Sequence, residues 1–247
     1  MNKKYALFLS LLITLIIASD FYLFHHITSF NKESVFISRV IDGDTIVLND
    51  SSRVRLLNIN SPEKGKSGSY DSFEYLKQYE NKTVELVSIG KDKYNRTLGR
   101  LYFNNHYLNL DIVKNGYASK FLVQESELKD FVSAEDEAIR LGKGIWEKST
   151  YYGCFDIEID SKKELVYLKS KCGELNIKGW YIKDESRKIY TFKDIQTETI
   201  ILHSSKGEDN LPDLFWDSKT SVWNNDRDTA YLFDNTGKIV YYKSYGY

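Results

Sequence analysis

The stretch Asp42-Gly-Asp44-Thr45 lies inside a run of alternating apolar and polar residues from Val35 to Leu48. An Asp-Gly pair between two alternating segments is a strong signal for a β-hairpin. Further alternation predicts strands over Arg53–Ile59, Thr83–Val87, Thr97–Phe103 and Tyr107–Leu110, and helical spacing predicts helices over Ser69–Tyr79, Leu110–Asn115 and Glu127–Leu141. The fold class is therefore mainly β with helices, and five short strands with interposed helices predict a closed barrel of the OB type.

Two charged motifs follow the hairpin, Arg55-Leu-Leu-Asn-Ile-Asn60-Ser-Pro-Glu63 and Asp92-Lys-Tyr94-Asn-Arg96. Taken singly, each motif is explained by an ordinary turn or a polar strand edge. Together with Asp42 and Asp44, they supply two arginines, a glutamate and a cluster of oxygen ligands. Oxygen ligands suit a hard cation such as Ca²⁺, arginines neutralise a transferring phosphoryl group, and a carboxylate can take a proton from water. The set therefore indicates metal-assisted cleavage of a phosphate diester.

From about Val35 to Trp146, the order and spacing of these motifs resemble the thermonuclease (staphylococcal nuclease-like) family. The resemblance implies a nuclease that hydrolyses DNA or RNA, with Arg55 and Arg96 binding the phosphate. It implies that Glu63 is the base that activates the attacking water. It also assigns Tyr94 and its neighbour Lys93 to the substrate pocket.

The same resemblance implies Ca²⁺ as the cofactor, with Asp44 as its first ligand. Asn60 stands where the family usually has a second calcium-binding aspartate. An amide oxygen can bind calcium, but the lost formal charge predicts a weaker site, because affinity follows the charge of the ligands. The other expected donors are the backbone carbonyl of Ser61 and, through a water molecule, Asp42.

Composition changes near Tyr152–Phe155, and residues 154–247 carry signals for strands alone. Two segments there, Leu175–Asp184 and Ser221–Ala230, resemble the lamin-tail domain, which is an Ig-like β-sandwich. We therefore expect two independent units at 34–150 and 154–247, and the partner of the second is unknown. The predicted strands are Phe155–Ile159, Leu165–Leu168, Gly179–Ile182, Ile189–Phe192, Thr199–Leu202, Ala230–Phe233 and Ile239–Tyr242.

Residues 1–30 have the pattern of an export segment. Lys3 and Lys4 precede an uncharged, largely apolar run from Tyr5 to Ser19, which Asp20 interrupts. This pattern is typical of a signal peptide, and it also fits a membrane anchor if Asp20 is tolerated. Both alternatives predict that the rest of the chain is exported, either secreted or anchored at the cell surface.

Charge and cysteine content narrow the functional classes. The 34 Lys and Arg residues nearly cancel the 35 Asp and Glu residues, so no overall basic surface is expected to coat nucleic acid. Attraction to phosphate must then come from local arginines and a bound cation. The two cysteines, Cys154 and Cys172, form a possible disulfide, which an oxidising compartment would permit; two separate thiols are the alternative.

Two other functions remain open from sequence alone. Asn60 would also fit a nucleic-acid-binding module whose metal site has decayed, and the C-terminal sandwich would fit a surface adaptor. The presence of Arg55, Glu63 and Arg96 together favours the nuclease, because a decayed enzyme has no need of all three.

Overall fold

The computed structural model describes residues 12–19 and 32–247. Residues 12–19 form a short helix (α1) whose apolar side chains are exposed. Most of the expected export segment lies outside the described residues. Within the described part of the chain, no helix is long and apolar enough to cross a membrane.

The first unit is a five-stranded barrel of the OB type, as predicted. Its sheet has the order β3-β2-β1-β5-β6, and the parallel pairing of β3 with β6 closes it. The short strand β7 extends the sheet beyond β6, and β4 pairs separately with β8. The strands are β1 (Glu33–Asp42), β2 (Thr45–Leu48), β3 (Arg53–Leu56), β4 (Ile59–Asn60), β5 (Thr83–Lys91), β6 (Thr97–Phe103), β7 (His106–Tyr107) and β8 (Ser119–Lys120).

Three helices cover the barrel: α2 (Ser69–Lys77), α3 (Leu108–Lys114) and α4 (Leu128–Leu141). The predicted strand Tyr107–Leu110 is wrong after Tyr107, where α3 begins. Leu108, Ile112 and Val113 recur at helical spacing and are fully buried, so their packing on the barrel selects the helix. Short 3-10 helices cover Glu125–Glu127 and Gly144–Trp146.

The second unit is an all-β region of several sheets. Two four-stranded sheets, β16-β15-β10-β9 and β13-β12-β17-β18, enclose one hydrophobic core. All seven predicted strands are present, and the three that were missed (β11, β14 and β16) have only two or three residues. The strands are β9 (Phe155–Asp160), β10 (Leu165–Ser170), β11 (Leu175–Asn176), β12 (Tyr181–Lys183), β13 (Ile189–Thr191), β14 (Gln196–Thr197), β15 (Thr199–His203), β16 (Asp213–Phe215), β17 (Asp228–Phe233) and β18 (Ile239–Tyr245).

A disulfide joins Cys154 and Cys172 at the start of this second unit. It links the residue just before β9 to the turn after β10, two strands that already pair along their whole length. Closing a loop of this size restricts the unfolded chain and typically stabilises a domain by about 3 kcal/mol. The disulfide therefore reinforces one edge of the sandwich.

The two units share a third hydrophobic core. Trp146, at the end of the first unit, is fully buried and stacks on Tyr231 of β17, with 5.1 Å between the ring centroids. The backbone continues the contact, because Ser149 donates to the carbonyl of Ile239 at 2.9 Å and Ile239 donates to that of Glu147 at 2.8 Å. The boundary near residues 150–154 stays a prediction. The two units are joined by packing and hydrogen bonds as well as by the chain itself.

This shared core predicts that the two units unfold together. In urea, we expect a single cooperative transition for the full chain and, for Trp146→Ala, a free energy of unfolding lower by about 3–5 kcal/mol, as for other buried large-to-small changes. Tyr70→Ala is the control, because Tyr70 is exposed and its loss should change the value by less than about 0.5 kcal/mol. Two separated transitions in the wild type would contradict the coupling.

Candidate active site

Closure of the barrel brings the two predicted arginines to one place. In the parallel pairing of β3 with β6, Arg55 lies opposite Leu98, and Arg96 immediately precedes β6. Burial lowers the pKa of Arg55; the charge of Asp44 opposes this effect, and the positive charges of Arg187 and Arg96 add to it. Asp92 fixes Arg96, accepting from its Nε at 2.7 Å.

Arg55 is held rigidly by the protein itself. Its Nη1 donates to the carbonyl of Leu56 at 2.5 Å, and its Nη2 donates to the carbonyl of Ile59 at 2.9 Å and to Oδ1 of Asn60 at 3.0 Å. Nη2 also lies 3.2 Å from Oδ2 of Asp44. A charged group that is already oriented needs no reorganisation when negative charge develops beside it, which is the basis of electrostatic catalysis.

Asp44 is the most heavily bonded carboxylate of the site. Its Oδ2 accepts from the backbone N–H of Ser61 at 2.9 Å, from the Ser61 hydroxyl at 3.0 Å and from Nη2 of Arg187 at 2.8 Å. Burial alone would raise the pKa of Asp44, but Arg55, Arg187 and the bonds from Ser61 outweigh it and hold the pKa below its usual value. Asp44 therefore remains ionised, and its Oδ2 is surrounded by donors.

The other predicted calcium ligands are also engaged. Oδ1 of Asn60 accepts from Arg55, and its amide nitrogen donates to the carbonyl of Glu185 at 2.9 Å. Asp42 accepts from the backbone N–H of Asp44 at 3.0 Å, and burial and the charge of Asp44 raise the pKa of Asp42. Among residues 12–19 and 32–247, no group of three acidic, histidine or cysteine side chains could hold a metal ion. In this arrangement, the donor set does not fit Ca²⁺.

Glu63 and Tyr94 lie at the accessible edge of the site. The side chain of Glu63 is 63% exposed and contacts Nη1 of Arg187. Tyr94 is 68% exposed; the guanidinium of Arg96 lies 5.6 Å from its ring centroid and Nζ of Lys93 lies 5.1 Å from it. Glu63 thus contacts one cation, Arg187, and the ring of Tyr94 lies near two others, Lys93 and Arg96.

Residues 53–148, which include Arg55, Glu63 and Arg96, match the family of staphylococcal nuclease homologues. The thermonuclease of Staphylococcus intermedius is 30% identical over 136 residues, which cover 49% of this chain and 80% of that protein. The chain belongs to the staphylococcal nuclease family. An uncharacterized endonuclease of Haemophilus influenzae is 33% identical over 120 residues, or 47% of this chain and 67% of that protein.

One relative of this nuclease family matches more than the barrel. Endonuclease YhcR of Bacillus subtilis is 28% identical over 200 residues. The match covers 70% of this chain, which is more than the first 150 residues can account for, so it extends into the C-terminal unit. The chain spans only 16% of that much larger protein.

Sequence reasoning missed the contribution of the C-terminal unit to this nuclease-family site. Arg187 comes from the loop between β12 and β13, more than 120 residues after Glu63, and no pattern in the sequence connects the two. A buried ion cluster fixes that loop: Nζ of Lys120 donates to Glu135 at 2.9 Å, to Glu185 at 2.6 Å and to the Thr229 hydroxyl at 2.7 Å.

Lys120 is the central cation of this cluster. Its side chain is only 1% exposed, and it joins a carboxylate of the first unit to one of the second. Burial alone would lower the pKa of Lys120, but the charges of Glu135 and Glu185 raise it, so the ammonium stays protonated. Tyr231 and Tyr247 complete the network by donating to Glu135 at 2.9 Å and to Glu185 at 2.6 Å.

Removing this ammonium should strongly destabilise the protein. Lys120→Met leaves two buried carboxylates without their counter-charge, and breaking a buried pair in this way typically costs about 3–5 kcal/mol. The matched control is Lys193→Met, because Lys193 pairs with Asp209 on the surface, where loss of a pair costs at most about 1 kcal/mol. Urea denaturation measures both. Equal effects of the two substitutions would contradict the structural importance of Lys120.

Proposed function

We propose that this chain is a nuclease that hydrolyses phosphodiester bonds of DNA or RNA. The observation that carries the proposal is the parallel pairing of β3 with β6, which brings the strand that holds Arg55 next to the strand that Arg96 precedes. The loop after β4 adds Glu63. Family membership supports the same reading, since the matching relatives include proteins named thermonuclease and endonuclease.

In the proposed reaction, Glu63 accepts a proton from a water molecule, and the water oxygen forms a bond to phosphorus. The bond from phosphorus to one ester oxygen breaks, and that oxygen takes up a proton from solvent. Arg55 and Arg96 stabilise the negative charge that grows on the phosphoryl oxygens. A planar guanidinium suits this task because it stays charged and can bind two oxygens at once. Tyr94, with Lys93 beside it, offers an exposed ring next to the substrate.

Calcium dependence is a separate question that a cleavage assay decides. The resemblance implies Ca²⁺ at Asp44, Asn60, Ser61 and Asp42, where it would supply positive charge to the phosphate. Because the arrangement of these donors does not fit the ion, no step above runs through it. Comparing cleavage in Ca²⁺ with cleavage in EGTA separates a metal-dependent enzyme from a metal-independent one.

Location and the C-terminal unit complete the proposal. Export of residues beyond the N-terminal segment is supported by the Cys154–Cys172 disulfide, since disulfides persist in oxidising compartments. The segment would either be cleaved or anchor the nuclease in the membrane. The likeness of the second unit to a lamin-tail domain remains a proposal based on its sequence motifs and its two packed sheets.

A non-catalytic nucleic-acid-binding module is the second candidate, with a specific observation in its favour. Arg187 contacts both Asp44 and Glu63, and this contact would suit a site that has lost its metal and its turnover. Such a module would bind single-stranded DNA without cleaving it. Cleavage by the wild type decides between the two candidates.

Glu63→Gln should reduce the turnover of single-stranded DNA by about 10²–10⁴-fold, because the amide cannot accept the proton of water. Its melting temperature should change little, since the side chain is largely exposed. Glu74→Gln is the control, because Glu74 is an exposed glutamate of α2 that pairs with Lys77 on the surface. If Glu63→Gln retains activity within threefold of the wild type, Glu63 is not the base.

A further inference from the structure

The side-chain amide of Asn60 forms a hydrogen bond to the C-terminal unit. Its Oδ1 accepts from Arg55, and its amide nitrogen donates to the carbonyl of Glu185 across the interface. A carboxylate at this position would present an oxygen, not a donor, to that carbonyl, and the contact would become repulsive. The neutral amide is therefore the side chain that accommodates the loop between β12 and β13.

Arg187, on that loop, contacts two carboxylates of the site, Asp44 and Glu63. Nη2 of Arg187 donates to Oδ2 of Asp44 at 2.8 Å, and Nη1 contacts Oε1 of Glu63. Each terminal nitrogen carries a second N–H group, and Nε is buried with no hydrogen-bond partner in the described part of the chain. Donors for an anionic oxygen thus remain, beside a cavity of about 330 Å³ that Arg187 lines together with Glu63.

Hydrogen bonds hold the loop between β12 and β13 in place. Glu185 is bound by Lys120 and Thr229, which are both buried, and by the hydroxyl of Tyr247. Asp184 accepts from the Ser186 hydroxyl at 2.5 Å and from the Lys188 backbone at 2.7 Å, which closes the turn on its other side. Withdrawing Arg187 would require the opening of this buried network.

The chain therefore has one carboxylate fewer than the family pattern, at residue 60, and one cation more, at residue 187. Both differences lie at the position to which the resemblance assigns Ca²⁺. We infer that Arg187 of the C-terminal unit takes the place of the calcium ion, so that a guanidinium supplies the positive charge between Asp44 and Glu63 and binds the phosphate of the substrate. This inference rests on the proposed nuclease function and makes the active site a product of both units.

The substrate class that follows is an anionic phosphodiester held by three arginines, Arg55, Arg96 and Arg187. Arg55 and Arg96 come from the barrel, and Arg187 comes from the C-terminal unit. Guanidinium groups form two parallel hydrogen bonds to phosphate oxygens and cannot lose their charge. Cleavage should accordingly proceed without any divalent cation.

The first experiment measures cleavage of a single-stranded DNA oligonucleotide by the full chain, in 1 mM EGTA and in about 1 mM Ca²⁺. We expect equal rates for the wild type in the two buffers. Arg187→Gln should lower kcat by about 10²–10³-fold in both, the usual loss for one positioned donor. The matched control is Arg227→Gln, because Arg227 also reaches across the interface, to Glu125 and the carbonyl of Val123, but lies outside the site.

The control should stay within threefold of the wild type. Melting temperatures of both variants show whether folding is retained, and Arg187→Lys, which keeps the charge but not the fork, should lie between the wild type and Arg187→Gln. If Arg187→Gln is as active as the wild type or more active, the contact is inhibitory or inert and the inference is overturned. A wild type that cleaves only with Ca²⁺ also overturns it.

The second experiment tests whether the Ca²⁺ site can be restored by substitution. Asn60→Asp combined with Arg187→Ala returns the carboxylate and removes the guanidinium. The new carboxylate faces the Glu185 carbonyl, so the melting temperature of the double variant should fall. At a temperature where it remains folded, the double variant should bind Ca²⁺ in calorimetry and cleave only when Ca²⁺ is present. The wild type should show no Ca²⁺ binding at about 1 mM. If the wild type cleaves under no condition, the proposed function fails and catalysis by Arg187 fails with it. Calorimetry still tests whether Arg187 occupies the calcium position, because equal Ca²⁺ binding by the wild type and the double variant would refute that replacement.

Discussion

The buried ammonium of Lys120 is the interaction on which the arrangement of the two units depends. It binds Glu135 on the last helix of the barrel and Glu185 on a loop of the sandwich, with almost no exposure to solvent. A buried cation of this kind is tolerated only when its partners are held in place. Here the hydroxyls of Thr229, Tyr231 and Tyr247 hold them. The position of the loop, and of every side chain on it, follows from this cluster.

The interface between the two units combines aromatic packing with a cluster of ionic interactions. Near the point where the chain passes from the first unit to the second, Trp146 stacks on Tyr231 and on Phe233. The ring centroids of Trp146 and Phe233 are 6.2 Å apart. Such rings bury large apolar areas and therefore contribute strongly to the stability of the interface. The ion cluster and the bond from Asn60 to Glu185 fix the orientation. Together they set the distance between Arg187 and the barrel carboxylates.

The barrel could be predicted from sequence because its signals are local. The Asp-Gly turn at residues 42–43 and the alternation on either side of it predict β1 and β2, and helical spacing predicts α4 to within one residue. The start of α3 was missed because Leu108 suits a strand and a helix equally, and only packing decides. Arg55, Glu63 and Arg96 could be recognised as candidates because their order and spacing are properties of one continuous stretch of chain.

Arg187 and Lys120 could not be found in this way. Their importance lies in contacts between residues more than 60 positions apart, and no periodicity records such contacts. Asn60 was noticed as a departure, and sequence alone suggested a weaker or a decayed metal site. Its second hydrogen bond, to a carbonyl of the other unit, supplies the physical reason for the amide. The departure is thus a property of the interface as much as of the site.

The bond between Asn60 and the Glu185 carbonyl also limits how such proteins can be recombined. A chimera that joins this barrel to an unrelated C-terminal unit would leave the amide of Asn60 without its acceptor and Asp44 without one of its two guanidinium partners. A barrel with aspartate at residue 60 would in turn repel this C-terminal unit. The amide at residue 60 and the loop that carries Glu185 and Arg187 are therefore matched, so exchanging the C-terminal unit changes the hydrogen-bond partners of Asn60 and Asp44 together.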